Sequence, residues 1–450
     1  MSFDSLGLCP ELMSAIATQG YITPTPIQAA AIPAIFEGYD LLAGAQTGTG
    51  KTAAFALPIV QMLSQRILKN KIRSPRVLVL VPTRELAAQV SDQMKNYGRR
   101  LSLRATMIYG GVNIQAQIER LERGVDIVVA TPGRLLDHAE RETIDLSRIE
   151  FLVLDEADRM LDLGFIDDIK KITEYLPVKR HNLLFSATYS HQIKKLADEL
   201  LNQPRHIEVA RPNIAADAVT QAIYHVERSR KREMLSHLIR KGEWSQVLVF
   251  TRTRYGADKL TEELMYDSIN ASAIHSNKSQ SVRTRTLAEF KKGEIRVLVA
   301  TDVAARGLDI QHLPHVVNFE LPQVAEDYVH RIGRTGRAGE EGIALSLVCP
   351  AESPRLKAIE ELLEYSITVQ TVADFPALPV NRGGRLKPKK KNSGHKPKKT
   401  TTKSNKAQPK LAKQAKEAPK GKAAQKPSKP RRGKQTSNRG MSQPPTRRGR

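Results

Sequence analysis

Eight times along the chain a short run of apolar, mostly β-branched or leucine residues breaks abruptly into a polar cluster. RVLVLV (76–81), DIVVA (126–130), FLVL (151–154) and NLLF (182–185) make one series. QVLVF (246–250), RVLVA (296–300), HVVNF (315–319) and IALSLV (343–348) make a second. Such short runs lack polar/apolar alternation, so both faces of each must be covered, as in a parallel sheet with helices on either side. Amphipathic segments of helical character separate the runs, which points to two α/β units in tandem. The 450 residues are also too many for one core and fit two or three domains. The expected division is a leading segment at 1–30, an α/β unit at 31–208, a linker at 209–218, a second α/β unit at 219–372 and a tail at 373–450. The linker falls where periodicity lapses in RPNIAAD.

The formal charge of +24 is unevenly spread. From residue 381 onward there are 25 basic residues and one acid, Glu417, leaving 46 basic and 46 acidic residues in the first 380. The body is therefore neutral and the tail carries the whole excess. With few apolar residues beyond alanine, the tail cannot bury enough surface to offset its ordering entropy and is expected to be disordered. It reads either as a solubilising appendage or as a tether for a polyanion, whose grip would weaken steeply with salt. No amphipathic or lipidation pattern accompanies the charge, so a membrane partner is not expected. Cys9 and Cys349 lie far apart and in no CxxC arrangement, which disfavours a disulfide framework and a thiolate metal site. The first residues, MSFDSLGLCPEL, have no basic lead-in, and no apolar stretch approaches the roughly 18 residues of a membrane span. A cytoplasmic protein is the expectation.

The polar clusters at the ends of the apolar runs carry the chemistry. PTREL, TPGR, DEAD and SAT end runs of the first series; TRTR, TDVAARGLD and ELP end runs of the second. In an open α/β sheet, ligands bind at the carboxyl ends of the strands, so these clusters define a ligand-facing rim. Upstream, DLLAGAQTGTGKTAAFALPIV joins an apolar run to a Gly-rich turn and then to a helical pattern. That is the context of a phosphate loop. Gly48 and Gly50 let backbone N–H groups curl around phosphate oxygens, Lys51 adds a point charge, and Thr52 is placed to hold magnesium. The strict pattern GxxxxGK[ST] asks for glycine where Ala45 stands, and Gly44 is one residue out of register. A nucleoside triphosphate and its magnesium also need carboxylates at a neighbouring strand end. Asp155 fits the metal, and Glu156 fits a residue that orients or deprotonates the attacking water. A GTPase base reader (NKxD), a dinucleotide GxGxxG turn and the kinase HRD and DFG motifs are all missing; NKSQ, GTGKTA, HRIG and DFP stand instead.

Taken in order, the motifs resemble those of the DEAD-box RNA helicases, and the short N-terminus with a basic tail is most similar to the bacterial RhlE-type members. The resemblance spans about residues 1–372 through AQTGTGKT (45–52), PTRELA (82–87), Gly110 and Gly111, TPGR (131–134), DEAD (155–158), SAT (186–188), TDVAARGLD (301–309) and HRIGRTGR (330–337). Within it Ala45 is regular, because the family's own loop reads AxTGxGKT, which places Ala45, Gln46, Thr47, Gly48, Thr49, Gly50, Lys51 and Thr52 at the nucleotide. The fold implied is two RecA-like parallel-sheet domains, with ATP and Mg2+ bound between them. GYITPTPIQ (20–28) is similar to the adenine-reading segment, so 1–30 becomes the adenine-recognition segment, with Gln28 at the base edge, Tyr21 beside it and Phe3 behind. A glutamine amide both donates and accepts, which suits adenine over guanine. By the same resemblance Arg334 and Arg337 are arginine fingers that complete catalysis when the halves close, and Asp309 is a ribose contact. Asp158, Ser186, Thr188 and His330 are implied couplers between the halves. The implied RNA path runs over Pro82, Thr83, Arg84, Gly111, Thr131, Arg134, Arg252, Arg283 and Thr301, residue types suited to backbone phosphates. Aromatic residues make up only 5% of the chain, so base stacking and sequence preference are expected to be weak. The expected activity is an RNA-stimulated ATPase that opens or remodels RNA duplexes, with ribosomal or RNA-decay assemblies as candidate partners. An ATP-gated RNA clamp and a DNA-directed helicase of the same superfamily share every residue named and stay open at this point.

Overall fold

The computed structural model of the chain describes residues 2–45, 49–65, 73–208, 219–305, 310, 313–336 and 342–375. The expected linker at 209–218 and almost all of the expected tail lie outside the described residues. The first sheet contains β1 (Leu41–Gly44), β2 (Val77–Leu80), β3 (Ala105–Ile108), β4 (Ile127–Ala130), β5 (Phe151–Leu154), β6 (His181–Ser186) and β7 (Arg205–Glu208). Their order is β3-β4-β2-β5-β6-β1-β7. The second contains β8 (Val219–His225), β9 (Val247–Thr251), β10 (Ala271–Ile274), β11 (Val297–Thr301), β12 (His315–Asn318), β13 (Gly342–Val348) and β14 (Thr368–Gln370), in the order β10-β11-β9-β12-β13-β8-β14. Every pairing is parallel. The second order repeats the first strand for strand, so one winding is executed twice.

Side chains alternate across each pleat, and both faces are apolar. In the first lobe Ala43, Val79, Val153 and Phe185 pack with the helices Pro26–Phe36, Lys51–Ser64 and Arg84–Gly98. Leu42, Leu80, Leu154 and Leu184 pack on the other side with Pro132–Glu140, Ile166–Glu174 and His191–Leu200. Each fully buried Val, Leu or Phe contributes roughly 1.5–3 kcal/mol, which is why the interior strands carry the uninterrupted runs. The eight runs of the sequence are all interior strands: β2, β4, β5, β6, β9, β11, β12 and β13. Edge strands need far less apolar surface. β7 buries only Ile207 of its four residues, and β14 is exposed throughout.

The winding decides what meets at the rim. β6 lies between β1 and β5, with Gly44 in register with Ser186 and Leu154 with Leu184. The loop after β1, the SAT segment after β6 and the acids after β5 therefore emerge side by side.

Candidate active site

β1 ends on Gly44, and the next residue, Ala45, donates its N–H to the Ser186 carbonyl at 3.0 Å. Gln46, Thr47 and Gly48 lie outside the described residues. The chain resumes at Thr49, and Gly50, at φ +87°, opens the helix Lys51–Ser64. That left-handed turn favours glycine, and a second restraint acts at the same place, because a Cβ there would collide with the Gln28 amide. Gln28, 3% exposed, accepts from the Thr25 N–H at 2.9 Å and donates Nε2 to the Gly50 carbonyl at 3.2 Å. It is thus fastened to the phosphate loop as well as placed beside it. Phe3 is buried and Tyr21 half-buried in the apolar cluster that carries the helix Pro26–Phe36. Gln61, which no motif in the sequence marks out, pins this leading segment. It accepts from the Cys9 N–H at 2.7 Å and donates to the Gly7 carbonyl at 2.9 Å.

Lys51, the first residue of its helix, faces Asp155 at the end of β5. Both are buried, and Nζ stands 3.9 Å from Oδ1, too far for a hydrogen bond. The Lys51 ammonium has no hydrogen-bond partner among the described residues. Burial raises the Asp155 pKa to about 6; Lys51 opposes that rise and Glu156 adds to it. An unsatisfied ammonium beside a carboxyl reluctant to ionise is a donor set that a triphosphate with its divalent cation would complete. Thr52, half-buried, is the next residue of the same helix turn. Glu156 is buried and sits at φ +54°, ψ +49°, a left-handed conformation costing a non-glycine residue roughly 1–2 kcal/mol. It is held there because its own N–H donates to Asp155 Oδ1 at 3.0 Å. Asp158 continues the turn and accepts from the Ala187 N–H at 3.1 Å. That bond joins the DEAD and SAT segments, and within SAT the Ser186 Oγ donates to the Thr188 carbonyl at 2.8 Å.

In the second lobe the helix Ala325–Ile332 carries His330, and Arg334 stands, buried, just past the helix end. Arg337 and Asp309 lie outside the described residues. The structure distinguishes arginines that look alike in sequence. Arg331 is 2% exposed and holds Asp302 through two bonds of 2.6 and 2.7 Å, with further bonds to Asn318 and the Glu320 carbonyl. Its guanidinium also stacks on Phe250. It is the anchor of the segment that leads to Arg334.

A cavity of about 690 Å³ opens beside the phosphate loop, lined by Thr25, Ala45, Thr49, Asp158 and Thr188 of the first lobe and by Glu326 of the second. A second cleft, of about 440 Å³, gathers Pro82, Thr83, Arg84, Thr131, Arg134 and, from the second lobe, Arg283. The Arg84 guanidinium occupies the space a Cβ on Gly111 would need, and Gly111 has φ +77°. Arg134 donates to the Val112 carbonyl at 3.1 Å. Arg252 and Thr301 do not line this cleft: Arg252 pairs with Glu320 at 2.9 Å, and Thr301 is buried at the end of β11. Across the cleft Arg283 reaches Glu85 at 2.9 Å, with Gln280 adding a bond to the same carboxylate at 3.2 Å. In the sequence Glu85 is only a letter of PTREL; nothing local pairs it with a residue 198 positions away. Among the described residues no helix is long and apolar enough to cross a membrane.

Comparison with known proteins gives the family. A profile for DEAD/DEAH box helicases matches residues 25–196, and one for the helicase conserved C-terminal domain matches 230–339. The chain is 43% identical over 366 residues to the DEAD-box ATP-dependent RNA helicase RhpA of Helicobacter pylori, covering 81% of this chain and 73% of that protein. It is 44% identical over 368 residues to the ATP-dependent RNA helicase DeaD of Mycobacterium tuberculosis, covering 82% and 64%. Among solved structures, S. cerevisiae Dbp5 bound to RNA and ADP BeF3 superposes with a TM-score of 0.72 at 30% identity, over 82% of this chain and 95% of that one. Mss116p bound to ssRNA and AMP-PNP gives 0.75 at 29% identity, over 83% and 80%.

Proposed function

We propose how this site works from one premise: the chain belongs to the DEAD-box family of ATP-dependent RNA helicases. Its reaction is ATP hydrolysis coupled to local opening or remodelling of RNA duplexes. The observation that best supports the assignment of roles is the buried Lys51–Asp155 pair, held apart at 3.9 Å beside a cavity that the second lobe helps to line.

Gln28 and Tyr21, backed by Phe3, receive the adenine, and the loop of residues 45–52 wraps the phosphates with its N–H groups and the amino end of the following helix. Lys51 binds the terminal phosphates. Thr52 and Asp155 would hold Mg2+, which supplies neutralisation of the triphosphate charge. Glu156, kept by its backbone turn at the mouth of β5, orients the attacking water and takes its proton. Arg334 and Arg337 then meet the charge that builds on the transferred phosphoryl group. Asp309 contacts the ribose. Asp158, Ser186, Thr188 and His330 make hydrolysis sensitive to whether the lobes are together. RNA runs along the cleft of Thr83, Arg84, Thr131, Arg134 and Arg283, with Pro82 and Gly111 shaping its floor and Arg252 and Thr301 extending it. These are phosphate and sugar contacts, which position a strand without reading its sequence. The Arg283–Glu85 pair occupies that path when RNA is away, so RNA enters by exchanging one anion for another. The cytoplasm is the proposed location, and the cationic tail suits RNA-rich partners such as ribosomal or RNA-decay assemblies.

Glu156→Gln tests the scheme. The variant is expected to bind ATP and RNA as the wild type does while turnover falls by roughly 10²-fold or more, the scale of a lost general base. Wild-type hydrolysis in that variant would remove Glu156 from its role. Steady-state ATPase with single-stranded RNA and single-stranded DNA in parallel tests polymer choice, with strong stimulation expected from RNA alone.

A further inference from the structure

Arg159 comes directly after the DEAD acids and has no part in the scheme above, yet it is 8% exposed and lies between the lobes. Its Nη1 stands 2.9 Å from Asp327 Oδ1, and Asp327 is likewise 8% exposed. We propose that this pair is a latch: it forms only when the lobes are together, and it registers the helix bearing His330 against the Asp155–Glu156–Asp158 turn. The proposal takes its functional consequence from the ATPase reading.

Both ends of the latch are rigid. Arg159 belongs to the helix Ala157–Asp162, whose first turn is fixed through Asp158 to the Ala187 N–H. Asp327 lies one turn ahead of Arg331 on the helix Ala325–Ile332, and Arg331 is clamped to Asp302 and Asn318. A displacement at either end is therefore carried to Glu156 or to the segment of Arg334. A plainer account would have Arg159 serve only its own lobe through Asp162, at the same 2.9 Å. Asp162 is 51% exposed, so water screens its attraction, whereas Asp327 shares the enclosed position of the guanidinium. Burial alone would lower the Arg159 pKa; Asp327 first, then Asp158 and Asp162, outweigh it and hold the group above its ordinary range. Charge pairs of this kind at an interface set how long the closed state lasts and leave the approach of the halves unaffected.

The test uses the full chain with fluorescent dyes at the exposed positions Val178 and Tyr266, one on each lobe. The closed fraction is read from energy transfer with a non-hydrolysable ATP analogue and a poly(U) oligonucleotide. Arg159→Met and Asp327→Asn are each expected to lower the closed-to-open ratio at least tenfold, an order-of-magnitude figure for a broken enclosed pair. The KM for RNA in the ATPase assay should rise in step, with kcat changed less. The double variant should be no worse than the poorer single one, Arg159→Lys should restore part of the closure, and Asp162→Asn should leave it intact. Additive losses in the double variant, or wild-type closure in both single variants, would overturn the latch while the ATPase reading stands. Failure of RNA to stimulate the wild-type enzyme would overturn that reading, and the dye distances would still decide the latch.

Discussion

At the scale of single residues, Glu156 at the end of β5 and Gly50 ahead of the helix Lys51–Ser64 are both held in left-handed backbone that side chains ordinarily avoid. Glu156, buried at the end of β5, carries a conformational penalty of roughly 1–2 kcal/mol. Gly50 escapes the penalty by having no Cβ, and its carbonyl is bonded to Gln28. Gly50→Ala is predicted to raise the KM for ATP roughly tenfold or more, because an alanine at positive φ costs about 1–2 kcal/mol and also meets the Gln28 amide. Combined with Gln28→Ala, the collision is relieved and the two effects should be less than additive in an ATP-binding titration. Full additivity would mean that Gln28 does not touch the loop. The glycine turn at Gly50 was legible from sequence, since it answers to a local backbone requirement. The role of Arg331 as an anchor was not, because it depends on which arginine meets Asp302 from another strand end.

At the scale of elements, the eight apolar runs were readable as interior strands, whereas the edges and the polar-containing interior strand β8 were not. Those runs are apolar on both faces, whereas Arg205–Glu208 buries one residue and Thr368–Gln370 none, so no hydrophobic pattern marks them. One interior pairing carries a consequence for pH. His315 begins β12 and stacks on Trp244, ring centroids 4.3 Å apart and planes within 19°, next to β9. Burial pushes its pKa down from 6.5 to about 4, and its Nδ1 has no hydrogen-bond partner among the described residues. A histidine depressed in the folded state stabilises the fold above its unfolded pKa, and that contribution is lost as pH falls from about 6.5 toward 4. His315→Phe keeps the stacked ring and removes the titration. Its melting temperature should therefore decline less than that of the wild type between pH 7 and 4.5; parallel curves would show that His315 does not titrate against the fold.

At the scale of the whole molecule, charge and chemistry are kept apart, with a neutral body and a cationic tail. Ending the chain after Leu378 is predicted to preserve RNA-stimulated hydrolysis while weakening RNA binding at low salt. The slope of log affinity against log salt should become shallower as the tail's phosphate contacts are lost. An unchanged slope would leave the tail no part in binding. By itself the sequence determined the two-fold α/β plan and the glycine turn into the helix Lys51–Ser64, since these depend on local apolar runs and on glycine conformation. Only the tertiary structure decided which distant groups meet: Glu85 with Arg283, Arg159 with Asp327, Gln28 with the Gly50 carbonyl and Arg331 with Asp302. The physical reason is that parallel strands winding in the order 3-4-2-5-6-1-7 bring far-separated loops to one rim. The partner of a charge on that rim is set by strand order and lobe packing, which no stretch of neighbouring residues encodes.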